Sequence, residues 1–377
     1  MQMNVNYSYW ELQQYFKTFD LIVIGSGIVG LSTAISHKDK NKNSKILILE
    51  KGMLPSGAST KNAGFACFGS VSELLDDLGK MSEESVWQTV EMRWKGLQIL
   101  RNRLGKNNIE FNLCGGYELF DDKKQFEICS EKINYLNKMM FDLLNLKNTY
   151  CAAPEKSKHF NNINGVLLNK YEGQLNTGLM MKELIEMALK KGIIILNSVT
   201  ISKINDNGKF VELPSNAGIF KAKKVIVATN GFAKQLLKIK DVQPARAQVL
   251  ITKPIANLKL KGTFHYQKGF YYFRNIDNRI LFGGGRNLDF KKETTVKIEL
   301  NLKIQKHLDK LLREIILPNT KFEIEHRWSG IMGVGSEKKP IIKFVSKNVL
   351  CAVRMGGMGI AIGSLVGEIA SQKITES

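Results

Sequence analysis

Residues 19 to 50 read as one unit. Asp20-Leu21-Ile22-Val23-Ile24 leads into Gly25-Ser26-Gly27-Ile28-Val29-Gly30, and after a helical stretch comes Ile46-Leu47-Ile48-Leu49-Glu50. The first apolar run does not alternate, as expected of a parallel strand buried on both faces. The glycines have the spacing of a dinucleotide-binding turn. Gly25 allows the tight turn, Gly27 lets a pyrophosphate approach the backbone, and Gly30 lets the helix sit close to the strand. The helix start offers free N–H groups and a positive dipole end to phosphates. Glu50 stands where a carboxylate accepts bonds from ribose hydroxyls. Strand, turn, helix and distant acid together predict a dinucleotide site.

At 377 residues the chain can build one large or two medium domains. No stretch reads as a bilayer span, because the run from Leu21 to Ile35 is broken by glycine and serine. The first residues lack the basic start and apolar middle of a secretory signal. Cys67, Cys114, Cys129, Cys151 and Cys351 show no CxxC spacing and no clustering with histidine, which argues against disulfides and against a metal site. A soluble, cytoplasmic protein is the expectation. The formal charge is +20, but 45 of the 55 basic residues are lysines scattered along the chain. Nucleic-acid recognition favours arginine forks with interleaved aromatics, so a solvated surface is expected and no nucleic acid as partner. Attraction of acidic substrates or anionic surfaces stays open.

Periodicity predicts helices over 83–104, 123–144, 179–191 and 294–316, and a buried strand at Val225–Ala228. A hairpin is expected from Phe270–Arg274 through Asn275–Asn278 into Arg279–Phe282, and a last strand at Val349–Val353 before a glycine turn and a closing helix. Nucleotide-type units thus lie at the start, middle and end, with a second lobe inserted.

The chain resembles the D-amino-acid oxidase-like (DAO) superfamily of FAD-dependent oxidoreductases, which includes glycine and γ-glutamylputrescine oxidases. The resemblance rests on Gly25–Gly30 with Glu50 and Lys51, on Ser56-Gly57-Ala58-Ser59-Thr60-Lys61-Asn62-Ala63-Gly64, on Glu172–Asn176 followed by Val225–Gly231, and on Arg354-Met355-Gly356-Gly357-Met358-Gly359-Ile360. It implies an α/β fold: a Rossmann-like, glutathione-reductase-type FAD domain interleaved with an α+β substrate domain that contains an antiparallel sheet. The implied boundaries are 19–80, 160–235 and 325–377 for the FAD domain, 81–159 and 236–324 for the substrate domain, and 1–18 as a lead-in. It also assigns cofactor contacts. At the first turn these are Gly25, Gly27, Ile28, Val29, Gly30, Glu50 and Lys51; in the second motif, Ser59, Thr60, Asn62, Ala63 and Gly64. In the middle segment they are Val199, Ala228, Thr229, Asn230 and Gly231. Toward the end they are Gly330, Met332, Arg354, Gly356, Gly357, Met358, Gly359 and Ile360.

The implied reaction is hydride transfer to flavin N5 from the carbon beside an amine. The imine then hydrolyses, and oxygen or another acceptor reoxidises the flavin. Tyr272 and Arg274 share one face of the hairpin strand and are expected to line the substrate site, Arg274 as a carboxylate partner. Amino-acid oxidases of this superfamily commonly carry an arginine where Met332 stands, so an amine or N-substituted amino acid is the expected substrate. Relatives that tether flavin use a cysteine near Trp328 or a histidine in the second motif; neither is found here, so non-covalent FAD is expected. His265 and His326 lie nearest the presumed site and read as structural. Alternatives are a dehydrogenase of a 2-hydroxy acid or polyol phosphate, a tRNA-modification-linked flavoprotein, and a non-catalytic flavin module.

Overall fold

The computed structural model describes residues 6–377. Its first sheet runs in the order Ile341–Ser346, Val349–Val353, Gly218–Val227, Phe19–Ile24, Ile46–Leu49, Ile194–Leu196, with Val211–Ser215 and Asn205–Asp206 branching from the third of these. The five strands from Val349–Val353 to Ile194–Leu196 are mutually parallel. The run Leu21–Ile24 shows why it need not alternate. Leu21 and Val23 enter one hydrophobic cluster and Ile22 and Ile24 another, so both faces are dry.

Helix Gly359–Thr375 packs on both Ile28–Lys40 and Glu83–Leu104 on one side of this sheet. The contacts are made close by small residues. A Cβ on Gly96 would sit 2.1 Å from the Ala361 carbonyl oxygen, and one on Gly367 2.5 Å from the Ser32 Cβ.

The second sheet has the order Ile324–Val334, Gln243–Thr252, Arg279–Gly284, Tyr271–Ile276, Thr263–Tyr266, Gly116–Phe120, Gly165–Asn169, Tyr150–Ala152. All its pairs are antiparallel except Thr263–Tyr266 with Gly116–Phe120. Tyr271 and Phe273 bury against Phe264, Phe282, Leu308 and Leu312, while Tyr272 faces the nucleotide side with Ala63 and Phe65. The hairpin turns at Asp277 and Asn278, both with positive φ (47° and 56°), the conformation of the tight turns that match strand twist.

Two expected helices differ. The stretch 123–144 forms Lys123–Glu131 and Ile133–Leu144, separated at Lys132. The stretch 294–316 becomes helical only from Leu302, where the Asn301 side chain caps the Lys303 N–H, and ends in a π-type turn at Leu312–Ile316. Strands Gly165–Asn169 and Ile324–Val334 pair in the antiparallel sheet, although the sequence grouped residues 160–235 and 325–377 with the nucleotide lobe. Register is the reason: each continues a ladder of that sheet, with Gly116–Phe120 and Gln243–Thr252 respectively. Among the described residues no helix is long and apolar enough to cross a membrane.

Candidate functional site

One cavity of about 1220 Å³ runs between the two sheets. That exceeds the roughly 300–1,000 Å³ typical of small-ligand sites. At one end lies the glycine turn. Gly25 takes φ +104° and donates its N–H to the Leu49 oxygen at 2.8 Å, which ties the turn to the second strand. A Cβ on Gly30 would fall 1.9 Å from the Gly25 oxygen, so helix and turn touch as the motif predicts. Glu50 is buried; its Oε2 accepts from the Ser26 N–H at 3.0 Å and the Ser26 hydroxyl at 2.8 Å, and its Oε1 accepts from the Gly52 N–H at 3.0 Å. The carboxylate is thereby fixed at the cavity wall.

The second motif meets the first. Ser59 Oγ accepts from the Ile28 N–H at 3.0 Å, at the mouth of the glycine helix. Asn62 holds its own loop: its Nδ2 donates to the Ser59 carbonyl at 2.8 Å, and its Oδ1 accepts from the Gly64 N–H at 2.9 Å and from Thr177 Oγ1 at 2.8 Å. Trp328 Nε1 donates to the Lys61 carbonyl at 3.0 Å, bringing strand Ile324–Val334 over this loop. The tail turn is fastened in turn by Asn230, whose Oδ1 accepts from the Arg354 and Met355 N–H groups at 3.0 and 3.2 Å. Gly356 N–H donates to the Gly333 oxygen at 2.9 Å.

Of the expected cofactor residues, Gly25, Gly27, Ile28, Val29, Glu50, Lys51, Ser59, Asn62 and Ala63 line the cavity. So do Val199, Ala228, Thr229, Asn230, Gly330, Met332 and the turn Gly356–Ile360. Five stand behind the wall. Gly30 and Gly231 serve close packing, the latter where a Cβ would be 2.4 Å from the Met332 oxygen. Thr60 Oγ1 donates to the Pro55 carbonyl at 2.6 Å, and the Gly64 carbonyl accepts from the Leu175 N–H at 2.9 Å. Arg354 pairs with Asp241 and donates from Nε to the Lys339 carbonyl at 2.8 Å.

At the other end the second sheet supplies the wall. Tyr272 lines the cavity, with its ring edge-on to Phe65 at 5.7 Å, and burial pushes its hydroxyl up to about 12. Arg274 is a correction. It is buried and absent from the cavity wall; its Nη1 donates to the Gly64 carbonyl at 3.1 Å and the Leu175 carbonyl at 2.8 Å. Two residues beyond Tyr272 on the same face, it reaches under the second motif and not into the site. Of the two histidines expected near the site, His265 lines the cavity beside Tyr272, whereas His326 is exposed and stacks on Trp328.

Behind His265, buried Glu172 accepts from the Phe68 and Gly69 N–H groups at 2.8 and 3.0 Å, and its Oε2 stands 3.6 Å from His265 Nε2. Burial alone works against a charged imidazole. The Cys67 thiol and the Glu172 carboxylate outweigh it and hold the His265 pKa well above the usual histidine range. Cys67 itself is pushed up by burial, which keeps it a thiol.

Sequence reasoning missed four groups on the cavity wall. Glu73, Arg93 and Lys338 form an ion cluster: Arg93 Nη1 and Lys338 Nζ lie 3.3 and 2.9 Å from Glu73 Oε1. Arg286 lines the cavity just past the hairpin. Its only sequence signal is an arginine directly after Gly283-Gly284-Gly285, at the strand end nearest Tyr272.

This wall fits a flavin dinucleotide. A fixed carboxylate, a helix start with a side-chain-free Gly27, an asparagine-braced loop of small residues and a glycine-rich tail turn all face one elongated cavity.

Comparison with known proteins agrees. A family model described as FAD dependent oxidoreductase (DAO) matches residues 20–373. The chain is 23% identical to the probable oxidoreductase OrdL of Haemophilus influenzae, over 94% of this chain and 82% of that protein. It is 24% identical to the gamma-glutamylputrescine oxidoreductase of Escherichia coli, over 94% and 83%. Among solved structures it is similar to glycine oxidase from Geobacillus kaustophilus (TM-score 0.75, 17% identity, 96% of this chain and 95% of that one). L-proline dehydrogenase from P. horikoshii is comparable (TM-score 0.75, 17% identity, 96% and 94%).

Proposed function

The chain belongs to the DAO family of FAD-dependent oxidoreductases, and from that premise we propose that it oxidises the C–N bond of an amine or N-substituted amino acid. The imine product hydrolyses in water, and oxygen or another acceptor takes the electrons. The observation that carries this reading is the continuity of one cavity, from the glycine turn and Glu50 to Tyr272, Phe65 and His265. When bound, FAD supplies the hydride acceptor.

The chain's residues bind, orient and exclude water. Gly27, Ile28 and Glu50 are the proposed grip on the dinucleotide, and Asn62, Ala63 and the Gly356–Ile360 turn the proposed bed of the ring system. Tyr272, Phe65 and Met332 contribute aromatic and apolar side chains to the proposed substrate end. His265 on this wall stands 3.6 Å from the Glu172 carboxylate, and Cys67 and Glu172 shift it toward its charged form. Met332 cannot fork onto a carboxylate, so a plain α-amino acid gripped at that position is outside this reading.

The test is anaerobic stopped-flow reduction of the holoprotein with amines, N-substituted amino acids, amino acids and 2-hydroxy acids. Bleaching of the yellow absorbance by a nitrogen compound, with carbonyl product formed, is expected. Bleaching by 2-hydroxy acids alone overturns the proposal in favour of a hydroxy-acid dehydrogenase, and no bleaching at all leaves a flavin-binding module.

A further inference from the structure

The cavity opens through an unusual collar. Phe270, Phe290, Val296 and Ile298 all line it, yet remain 42%, 46%, 37% and 50% exposed. The Phe270 and Phe290 rings meet edge to face at 6.2 Å. Arg286 lies in the same wall, its guanidinium 5.0 Å from the Phe290 ring centre, and its buried Nε has no hydrogen-bond partner. Of the other cations on the wall, Arg93 and Lys338 pair with Glu73, and Lys80 and Lys268 with Asp76, while Lys51 and Lys61 belong to the first and second motifs.

The carboxylate whose charge reaches Arg286 is Glu293, and Glu293 is spent elsewhere. It is fully buried and accepts from Arg246 Nε and Nη2 at 2.9 and 2.8 Å, from Gln248 Nε2 at 3.0 Å and from Asn301 Nδ2 at 2.8 Å. That clamp pins both ends of the segment carrying Phe290, Val296 and Ile298, because Arg246 Nη1 also holds the Lys297 carbonyl and Glu299. The collar is thus a fixed surface. It combines apolar side chains open to solvent with a fork-shaped cation that has no ion-pair partner among the described residues.

We propose that Arg286 and this collar form the subsite that selects the substrate: Arg286 takes a carboxylate, and Phe270, Phe290, Val296 and Ile298 take the apolar spacer joining that carboxylate to the reacting amine. The inference rests on the amine-oxidation reading and narrows it to amino-carboxylates whose acid group is held at the mouth, away from Met332. A guanidinium with a free edge and an aromatic face beneath it suits a carboxylate better than a single ammonium would.

The test uses unreactive ligands, so that it stands apart from turnover. FAD-loaded protein is titrated with straight-chain monocarboxylates of increasing length and with the matched primary amides, read by flavin absorbance perturbation and by calorimetry. Wild type is expected to bind each carboxylate at least tenfold more tightly than its amide, with affinity rising about twofold to fourfold per methylene until the collar is filled. Arg286→Met should cut carboxylate affinity tenfold or more and leave amide affinity unchanged. Arg286→Lys should fall between, and Phe290→Ala should flatten the chain-length trend for both series. Retained yellow colour and an unchanged melting temperature report that each variant is folded. Carboxylate binding in Arg286→Met equal to wild type overturns the proposal, as does an absent preference for carboxylate over amide in wild type. Failure of amine oxidation shows separately, as a flavin that binds carboxylates normally and is bleached by no amine.

Discussion

Single residues divide sharply into those a local pattern reveals and those only distant neighbours define. Glu50 belongs to the first kind, because the strand that ends at it sets its position relative to Gly25–Gly30 and nothing further is needed. Arg274 and Arg286 belong to the second. Strand alternation places Tyr272 and Arg274 on one face, but the partners of Arg274, the Gly64 and Leu175 carbonyls, lie 210 and 99 positions away. No spacing rule shows that they claim the guanidinium and leave Arg286 to face the cavity. His265 is similar, since its character comes from Glu172 at 3.6 Å and from Cys67, with Glu118 and Glu73 adding negative charge nearby. Its folded pKa is raised above the ordinary 6.5, so its contribution to stability is fully present below about that pH. It is lost as the pH climbs through the folded value. Melting temperatures from pH 6 to 9 should therefore fall more steeply in wild type than in His265→Gln, both measured with FAD bound. Parallel curves would show that His265 is neutral throughout.

At the scale of elements, the pattern of apolar residues finds the strands and the turn chemistry finds the hairpin, because both are local. Val349–Val353 and Glu83–Leu104 emerge with the bounds that periodicity gives. Where two helices abut, or a capping side chain delays a start, periodicity runs on too far. Lys132 and Asn301 are the two points where that happens. The packing of helices on helices was not legible either, since it depends on which glycines face a backbone. Gly96 on Glu83–Leu104 touches Gly359–Thr375 at Ala361, two residues into the helix that begins with the tail turn. Gly96→Ala leaves no room for its methyl at 2.1 Å from a carbonyl oxygen, so the tail helix must shift. Overpacking of this kind costs about 1–3 kcal/mol. The variant is expected to melt lower and to release FAD faster, because Gly356–Ile360 moves with that helix. A lower melting temperature with unchanged FAD release would show that the turn is held by Asn230 and Gly333 alone.

Over the whole molecule, three separated segments build one wall, and that much follows from the order of the motifs. What closes the wall is a set of charges brought together by the fold. Lys338, in the loop after Ile324–Val334, reaches Glu73 at 2.9 Å and Asp77 at 2.7 Å on helix Val71–Leu78, while Arg93 from Glu83–Leu104 meets Glu73 at 3.3 Å. Glu73 and Lys338 are 265 positions apart, so no sequence window contains the pair. Burial pushes Glu73 toward protonation, yet Arg93 and Lys338 overcome it and hold its pKa at about 2, down from the ordinary 4.5. A depressed carboxylate contributes stability in full above its unfolded value, here about 4.5, and loses it as the pH falls through about 2. Asp77 opposes this weakly, because burial raises its pKa and its charged form is the costlier one. Lys338→Met removes one of the two cations that depress Glu73. It should lower the melting temperature at pH 7, and by a smaller amount at pH 3, where part of the wild-type advantage has already gone. Because Glu73, Arg93 and Lys338 all line the cavity, the same variant should also hold FAD less tightly at pH 7. An identical drop in melting temperature at both pH values would show that Lys338 acts through its packed methylenes and not through its charge.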